Sequence, residues 1–261
     1  MTVSFDNILV THDDGVTTIT INRPPFNLAT PGLIDDLMAA FDELEGRDET
    51  RAIVLRGAGE RAFCAGADIG HEKGPAGEGR GLRDAGRALV ERIEMFPKVI
   101  IAAIRGWCIG GGTGIAWPCD IRIASDTAKF RAGDVYLGII PSWSVGMVRL
   151  VNYLGRNRTL DLLLLGEDIS AERALELGIV SRVVPDAAFE AEVDRVAKRL
   201  ASGAPMPIRA IKEAVRAQCR EGFDRAALLE EAWAQKIFAS QDAKEGLGAF
   251  MEKRKPVFTG K

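Results

Sequence analysis

Residues 99–114 read Val99-Ile100-Ile101-Ala102-Ala103-Ile104-Arg105-Gly106-Trp107-Cys108-Ile109-Gly110-Gly111-Gly112-Thr113-Gly114. The first six form a continuous apolar run rich in β-branched residues, the pattern of a strand buried on both faces, and the run feeds a glycine tract. The same order recurs on either side. Upstream, Ala52-Ile53-Val54-Leu55 leads into a Gly/Ala-rich loop from Gly57 to Gly70; downstream, Asp120 to Ala124 precedes Lys129 to Gly138. Three buried strands, each delivering the chain to a loop of unusual residues, predict a layered α/β core with its chemistry at strand ends.

Further outward, Ile8 to His12 and Val16 to Asn22 flank the turn-forming Asp13-Asp14-Gly15, which predicts a hairpin. Thr30 reads as an N-cap with Pro31 at the first helical position, and Leu33, Leu37, Met38, Phe41 and Leu44 fall on one face of the helix that follows. The glycines between Gly74 and Gly81 read as a surface loop ahead of a helix reaching Phe96. From Val145 the pattern becomes helical. Phe189, Val193, Val196 and Leu200 recur at helical spacing up to Gly203, and Ile208, Ile211 and Val215 repeat it after Pro207. We therefore divide the chain into an α/β core over 1–190 and a helical region over 191–261 that packs on the core or on a neighbouring subunit.

Composition removes several function classes. With 34 Lys+Arg against 37 Asp+Glu the formal net charge is -3, so there is no basic excess to hold a phosphate backbone, and no nucleic-acid partner is expected. No apolar run approaches the ~20 residues of a membrane span, and Met1 to Asp14 lacks the regions of a signal peptide; a cytoplasmic protein with no membrane partner is expected. Cys64, Cys108, Cys119 and Cys219 lie far apart without CxxC spacing, and His12 and His71 are the only histidines. Zinc sites, disulfide frameworks and histidine triads are poorly supported.

What remains is backbone chemistry. Arg61-Ala62-Phe63-Cys64-Ala65-Gly66-Ala67-Asp68-Ile69 places small residues where main-chain N–H groups could reach a ligand. Gly110 to Gly112 offers another donor at the start of a short helix, where unsatisfied N–H groups and the helix dipole favour negative charge. By composition alone, tight turns and close helix packing account for most such tracts and are the stronger reading. The Gly110–Gly114 spacing does not fit GxGxxG, and GxxxxGK[ST] does not occur, which disfavours a nucleotide cradle.

Taken together, Asn22-Arg23-Pro24 with Asn27, Ala62 through Ile69, Gly110-Gly111-Gly112, Cys119-Asp120, Leu137-Gly138-Ile139-Ile140-Pro141 and Ala249 through Arg254 resemble the enoyl-CoA hydratase/isomerase (crotonase) superfamily. The match runs in order along nearly the whole chain. The resemblance implies a crotonase-like α/β spiral of repeated ββα units with a C-terminal helical trimerisation region, assembled as a homotrimer or a dimer of trimers. It also implies an acyl-CoA substrate whose thioester oxygen is held by the N–H groups of Ala67 and Gly111 while an enolate forms. Coenzyme A is then part of the substrate, and neither a separate cofactor nor a metal is called for.

Family hydratases carry two glutamates; at the first of these positions this chain has Gly114 and at the second Asp134. Asp134 is the sole matched carboxylate, and burial beside an acyl pocket would raise its pKa toward one suited to proton transfer. An exposed loop aspartate or a helix cap is the other reading of that residue. Trp143 either walls the acyl pocket or packs as an ordinary core tryptophan. For the CoA moiety the resemblance points to Phe26, Leu28, Ala65, Asp68 and Ile69, with Phe250 and Lys253 of an adjacent subunit over the nucleotide. Lys253 also reads as a lysine favoured in a last helical turn by the dipole. The activity so implied is hydration of a 2-enoyl-CoA. Double-bond isomerisation and the hydratase-lyase reaction on aromatic enoyl-CoAs follow it, then thioester hydrolysis, then a non-catalytic CoA-binding scaffold.

Overall fold

The computed structural model describes residues 5–68, 80–143 and 147–261, apart from the Arg80 side chain. Ile69 and the glycine-rich 74–79 stretch lie outside the described residues. In chain order the elements are β1 (Ile8–Asp13), β2 (Val16–Ile21), α1 (Pro31–Glu45), β3 (Ala52–Gly57), β4 (Ala62–Cys64), α2 (Arg80–Met95), β5 (Val99–Ile104), β6 (Trp107–Ile109), α3 (Gly111–Ala116), β7 (Ile121–Ser125) and β8 (Lys129–Arg131). A 3-10 turn at Asp134–Leu137 follows, then α4 (Leu150–Leu165), β9 (Ile169–Ser170), α5 (Ala171–Glu176), β10 (Arg182–Val184), α6 (Phe189–Ala201), α7 (Pro205–Arg220), α8 (Phe223–Ala239) and α9 (Gln241–Met251).

The strand pairs sort by size. The long first strand of each ββα unit joins a six-stranded sheet of order β1-β2-β3-β5-β7-β10, and the three-residue second strands join a four-stranded sheet of order β4-β6-β8-β9. Only β1 in the first sheet and β9 in the second run antiparallel to their neighbours. The β1–β2 hairpin turns on Asp14 (φ 44°) and Gly15 (φ 77°), both left-handed, as a two-residue connection between twisted strands requires. Thr30 caps α1 by accepting from the Leu33 N–H at 3.2 Å, and Leu33, Leu37, Phe41 and Leu44 are buried, with Met38 half-buried.

The large sheet is covered on both faces, which is why its strands read as unbroken apolar runs. Ile53, Leu55, Ile100, Ala102 and Ile104 point into the main core with α1 and α2. Their alternates Val54, Ile101 and Ala103 point the other way, against Phe189, Val193 and Val196 of α6. In the main core Phe41 and Phe96 meet at 5.2 Å between ring centroids. Beyond α6 the helical periodicity has a different meaning. Ile211 and Val215 of α7 are 64% and 60% exposed, while the small residues Ala210 and Ala217 occupy its buried side and Ile208 is half-buried against Gly203, so most of that sequence stripe faces outward from this chain. No helix of the described residues is long and apolar enough to cross a membrane.

Candidate active site

The segment after β4 is held in place by Asn27. This fully buried residue has φ 51°, and its Nδ2 donates to the carbonyls of Ala58 (3.0 Å) and Ala62 (2.8 Å) while Oδ1 accepts from the Arg23 N–H at 3.0 Å. The 22–29 loop then pairs with the segment: Ala65 N–H donates to Phe26 O, Ala29 N–H to Gly66 O and Asp68 N–H to Ala29 O. In this parallel bridge Ala67 stands opposite Ala29 but exchanges no hydrogen bond with it, so the Ala67 N–H is directed to the other side. It has no backbone acceptor among the described residues.

The second donor comes from the start of α3. Gly110, with φ 49° and ψ −112°, adopts a conformation that side-chain-bearing residues rarely reach, and it turns the chain from β6 into the helix. Gly111 is the first helical residue, and its N–H has no preceding turn to bond. Gly112 lets the helix start press on β4: a Cβ there would overlap the Cys64 carbonyl oxygen. A Cβ at Gly111 would lie 3.4 Å from the Ala67 nitrogen, so the two N–H groups are near neighbours.

Asp134 opens the 3-10 turn that follows β8, and Gly138 closes that turn in the left-handed region at φ 73°. The residue is half-buried. Its Oδ2 is enclosed and has no hydrogen-bond partner among the described residues, and its Oδ1 lies 3.9 Å from where a Cβ on Gly110 would stand. Burial pushes the Asp134 carboxyl above its ordinary 3.8, opposed by a hydrogen bond from its own backbone N–H. Among the described residues no guanidinium or ammonium offsets the burial. A half-buried acid with one unpartnered oxygen can take up and release a proton at a neighbouring atom.

Ala67, Gly111 and Asp134 line one cavity of about 930 Å³. Leu82, Leu137, Ile139 and Ile140 supply an apolar wall, and Trp143 supplies another. Trp143 combines both readings left open by the sequence: it is 9% exposed and belongs to the main core, yet it borders the cavity. Its ring lies on three glycines, Gly86 of α2 and Gly111 and Gly114 of α3, with Cε3 at 2.9 Å from a Cβ position on Gly114. Gly86, Leu82, Tyr136, Ile139 and Ile140 were not singled out as site residues from the sequence. A glycine inside the otherwise helical 80–95 run was the legible signal for one of them.

The residues expected around CoA divide. Ala65 lines the cavity. Leu28 and Asp68 are half-buried on the adjoining bridge, and Arg23 Nη1 donates to the Leu28 carbonyl at 3.1 Å. Phe26 is 42% exposed and borders a separate hollow of about 410 Å³ with Trp107 and Lys129. Phe250 and Lys253 are not brought to the cavity within the chain: Phe250 is 82% exposed near the end of α9. Lys253 is also not in the last helical turn. It lies beyond the end of α9 with φ 55°, because its N–H folds back on Phe250 O and that of Arg254 on Ala249 O as the helix unwinds.

Comparison with known proteins gives a consistent result. The family described as Enoyl-CoA hydratase/isomerase matches residues 11–261. A probable enoyl-CoA hydratase of Bacillus subtilis is 39% identical over 254 residues, covering 95% of this chain and 96% of the relative. A short-chain-enoyl-CoA hydratase of Clostridium acetobutylicum is 33% identical, covering 97% of each. The crystal structure of an enoyl-CoA hydratase from Bacillus anthracis superposes with a TM-score of 0.95 at 33% identity, over 98% of this chain and 100% of that one.

Proposed function

Because the chain belongs to the enoyl-CoA hydratase/isomerase superfamily, whose crotonase fold it has, we propose that it adds water to a 2-enoyl-CoA. The thioester oxygen accepts hydrogen bonds from the Ala67 and Gly111 N–H groups. As water attacks the β-carbon, negative charge develops on that oxygen, and each donor contributes about 3 to 4 kcal/mol of transition-state stabilisation. Asp134 takes one proton from the attacking water and returns a proton to the α-carbon, so one carboxylate serves both halves of the addition and ends ionised. The observation that carries this reading is the enclosed, unpartnered Asp134 Oδ2 in the same cavity as the two N–H groups.

Coenzyme A enters this reading as part of the substrate, running past Phe26, Leu28, Ala65, Asp68 and Ile69. Phe250 and Lys253 of a neighbouring copy cover its nucleotide in a cytoplasmic homotrimer or dimer of trimers. The α/β core over 1–190 carries the chemistry, and the helical 191–261 region carries the assembly. The test is loss of conjugated-thioester absorbance when purified protein meets crotonyl-CoA and longer or aromatic 2-enoyl-CoAs. A second reading, double-bond isomerisation, is favoured by Gly114, which leaves a single acid. It replaces hydration if 2-enoyl-CoAs are inert while a 3-enoyl-CoA gains absorbance.

A further inference from the structure

One wall of the cavity, the Trp143 ring, rests on residues without side chains. Gly86, Gly111 and Gly114, drawn from two helices, form a socket for one indole ring: a Cβ at Gly86 would overlap the ring, one at Gly114 would stand 2.9 Å from Cε3, and one at Gly111 would stand 3.1 Å from Cη2. The ring fills the place where a side chain at position 114 would begin. Its edge also stands beside the proposed oxyanion pair, since Trp143 Cη2 and Ala67 N lie 3.1 Å and 3.4 Å from the same point above Gly111. Asp134 stands beside Gly110, the residue before the Gly111 donor, and lines the same cavity.

From this juxtaposition we propose that Trp143 is a specificity-determining residue that admits 2-enoyl-CoAs unbranched at the α-carbon and excludes those carrying an α-methyl group. The inference rests on the placement of the thioester oxygen between Ala67 and Gly111. With the oxygen there, the α- and β-carbons lie between the indole and the Asp134 carboxylate. A planar enoyl group fits such a slot, and a substituent on the α-carbon meets the ring. The ring is packed closely on Gly86, where even a Cβ would overlap it, so it has little freedom to make room for that substituent. Among the described residues the far end of the acyl chain meets no such barrier. It continues along Ile139 and Ile140, which line the cavity and are 53% and 59% exposed. Straight-chain and terminally bulky acyl groups are therefore the substrate class.

The experiment compares the wild type with Trp143→Phe and Trp143→Ala on crotonyl-CoA and 2-methylcrotonyl-CoA. The wild type is expected to prefer the unbranched substrate in kcat/KM by roughly 10- to 200-fold, the range over which one methyl group is discriminated. Trp143→Ala is expected to reduce that preference at least about tenfold within the same range, with Trp143→Phe between. In parallel, calorimetric Kd values for butanoyl-CoA and 2-methylbutanoyl-CoA are measured with all three proteins. If neither enoyl-CoA turns over, nor any of the longer or aromatic 2-enoyl-CoAs, the hydration reading fails, and the ratio of Kd values still reports on the ring. A preference that stays the same in all three folded proteins, by turnover where there is turnover and by Kd otherwise, overturns the role of Trp143. Should Trp143→Ala lose its circular-dichroism signature, the Phe variant decides.

Discussion

Trp143 and Gly114 share one space: the indole Cε3 lies 2.9 Å from the position a Cβ on residue 114 would take, and the same ring is packed on Gly86. Gly114→Ala therefore forces a methyl group against a closely packed aromatic wall. Overpacking of this kind costs about 1–3 kcal/mol. The cost should appear as a lower urea midpoint with an unchanged slope, and it should largely vanish in the Trp143→Ala background, giving a coupling energy in a double-mutant cycle. Equal midpoints for wild type and Gly114→Ala would show that the ring yields.

Asp134→Asn separates function from stability. A positioned acid–base group contributes roughly 10²- to 10⁴-fold, so turnover should fall by that order. The fold should not suffer. The Asp134 carboxyl has a higher pKa folded than unfolded, so it stabilises the fold fully below the unfolded value near 3.8 and loses that contribution as the pH rises through the folded value. At neutral pH the ionised, partly buried carboxylate opposes folding, and the amide removes that opposition. A thermal midpoint equal to or above that of the wild type at pH 7 checks this; a marked drop would contradict it.

The same shift sets the pH profile. If ionised Asp134 is the form that accepts a proton from water, kcat/KM should rise with pH along an acid limb whose midpoint lies above 3.8. That limb should be missing from the residual activity of Asp134→Asn. A profile in which the variant keeps the same limb would assign it to another group.

Gly112→Ala attacks the oxyanion geometry without touching a donor. Its Cβ would overlap the Cys64 carbonyl oxygen, so α3 must move off β4 and the Gly111 N–H must separate from that of Ala67. Loss of one donor from such a pair lowers kcat about 10²- to 10³-fold. Steady-state kinetics on the most active enoyl-CoA measure it, and a kcat within a factor of about two of wild type would show that the close approach is dispensable for the donors.

Asn27→Ala tests the support of the same pair from the opposite side. The substitution leaves the Ala58 and Ala62 carbonyls and the Arg23 N–H without their side-chain partner, at about 1–3 kcal/mol for each group that stays buried and unpaired. It also puts alanine at φ 51°. Both the denaturation midpoint and kcat should drop, because the 22–29 loop carries the bridge that orients Ala67. Retained kcat in a destabilised protein would mean that the bridge holds without Asn27.

Local and periodic features were legible along the chain because the physics behind them is local. The Asp14-Gly15 turn, the Thr30 cap, the doubly buried strands β3, β5 and β7 and the glycine tracts at their ends each depend on a few consecutive residues. The small-residue tracts at 61–69 and 110–112 stood out for the same reason, as bare backbone at strand ends, whereas Asp134, Ala67 and Gly111 were marked out by the resemblance to the crotonase superfamily. The strands β4, β6 and β8 were not legible: three residues each are too few to show a period, and they exist because a parallel neighbour completes their hydrogen bonds. Ile211 and Val215 show the opposite case, a helical repeat that proved genuine while the side it faces was not written in it.

By itself, then, the sequence determined the buried strands, the caps and the glycine tracts, since periodicity, capping and glycine placement act over short stretches of chain, and its resemblance to the crotonase superfamily supplied the ββα order and the candidate donors and acid. Tertiary structure alone decided that Trp143 meets Gly86, Gly111 and Gly114, that Asp134 keeps an oxygen in the cavity without a partner among the described residues, and that Phe250 and Lys253 stand away from it. Those are relations between segments remote in the chain, fixed by close packing, and packing leaves no periodic trace in any one of them.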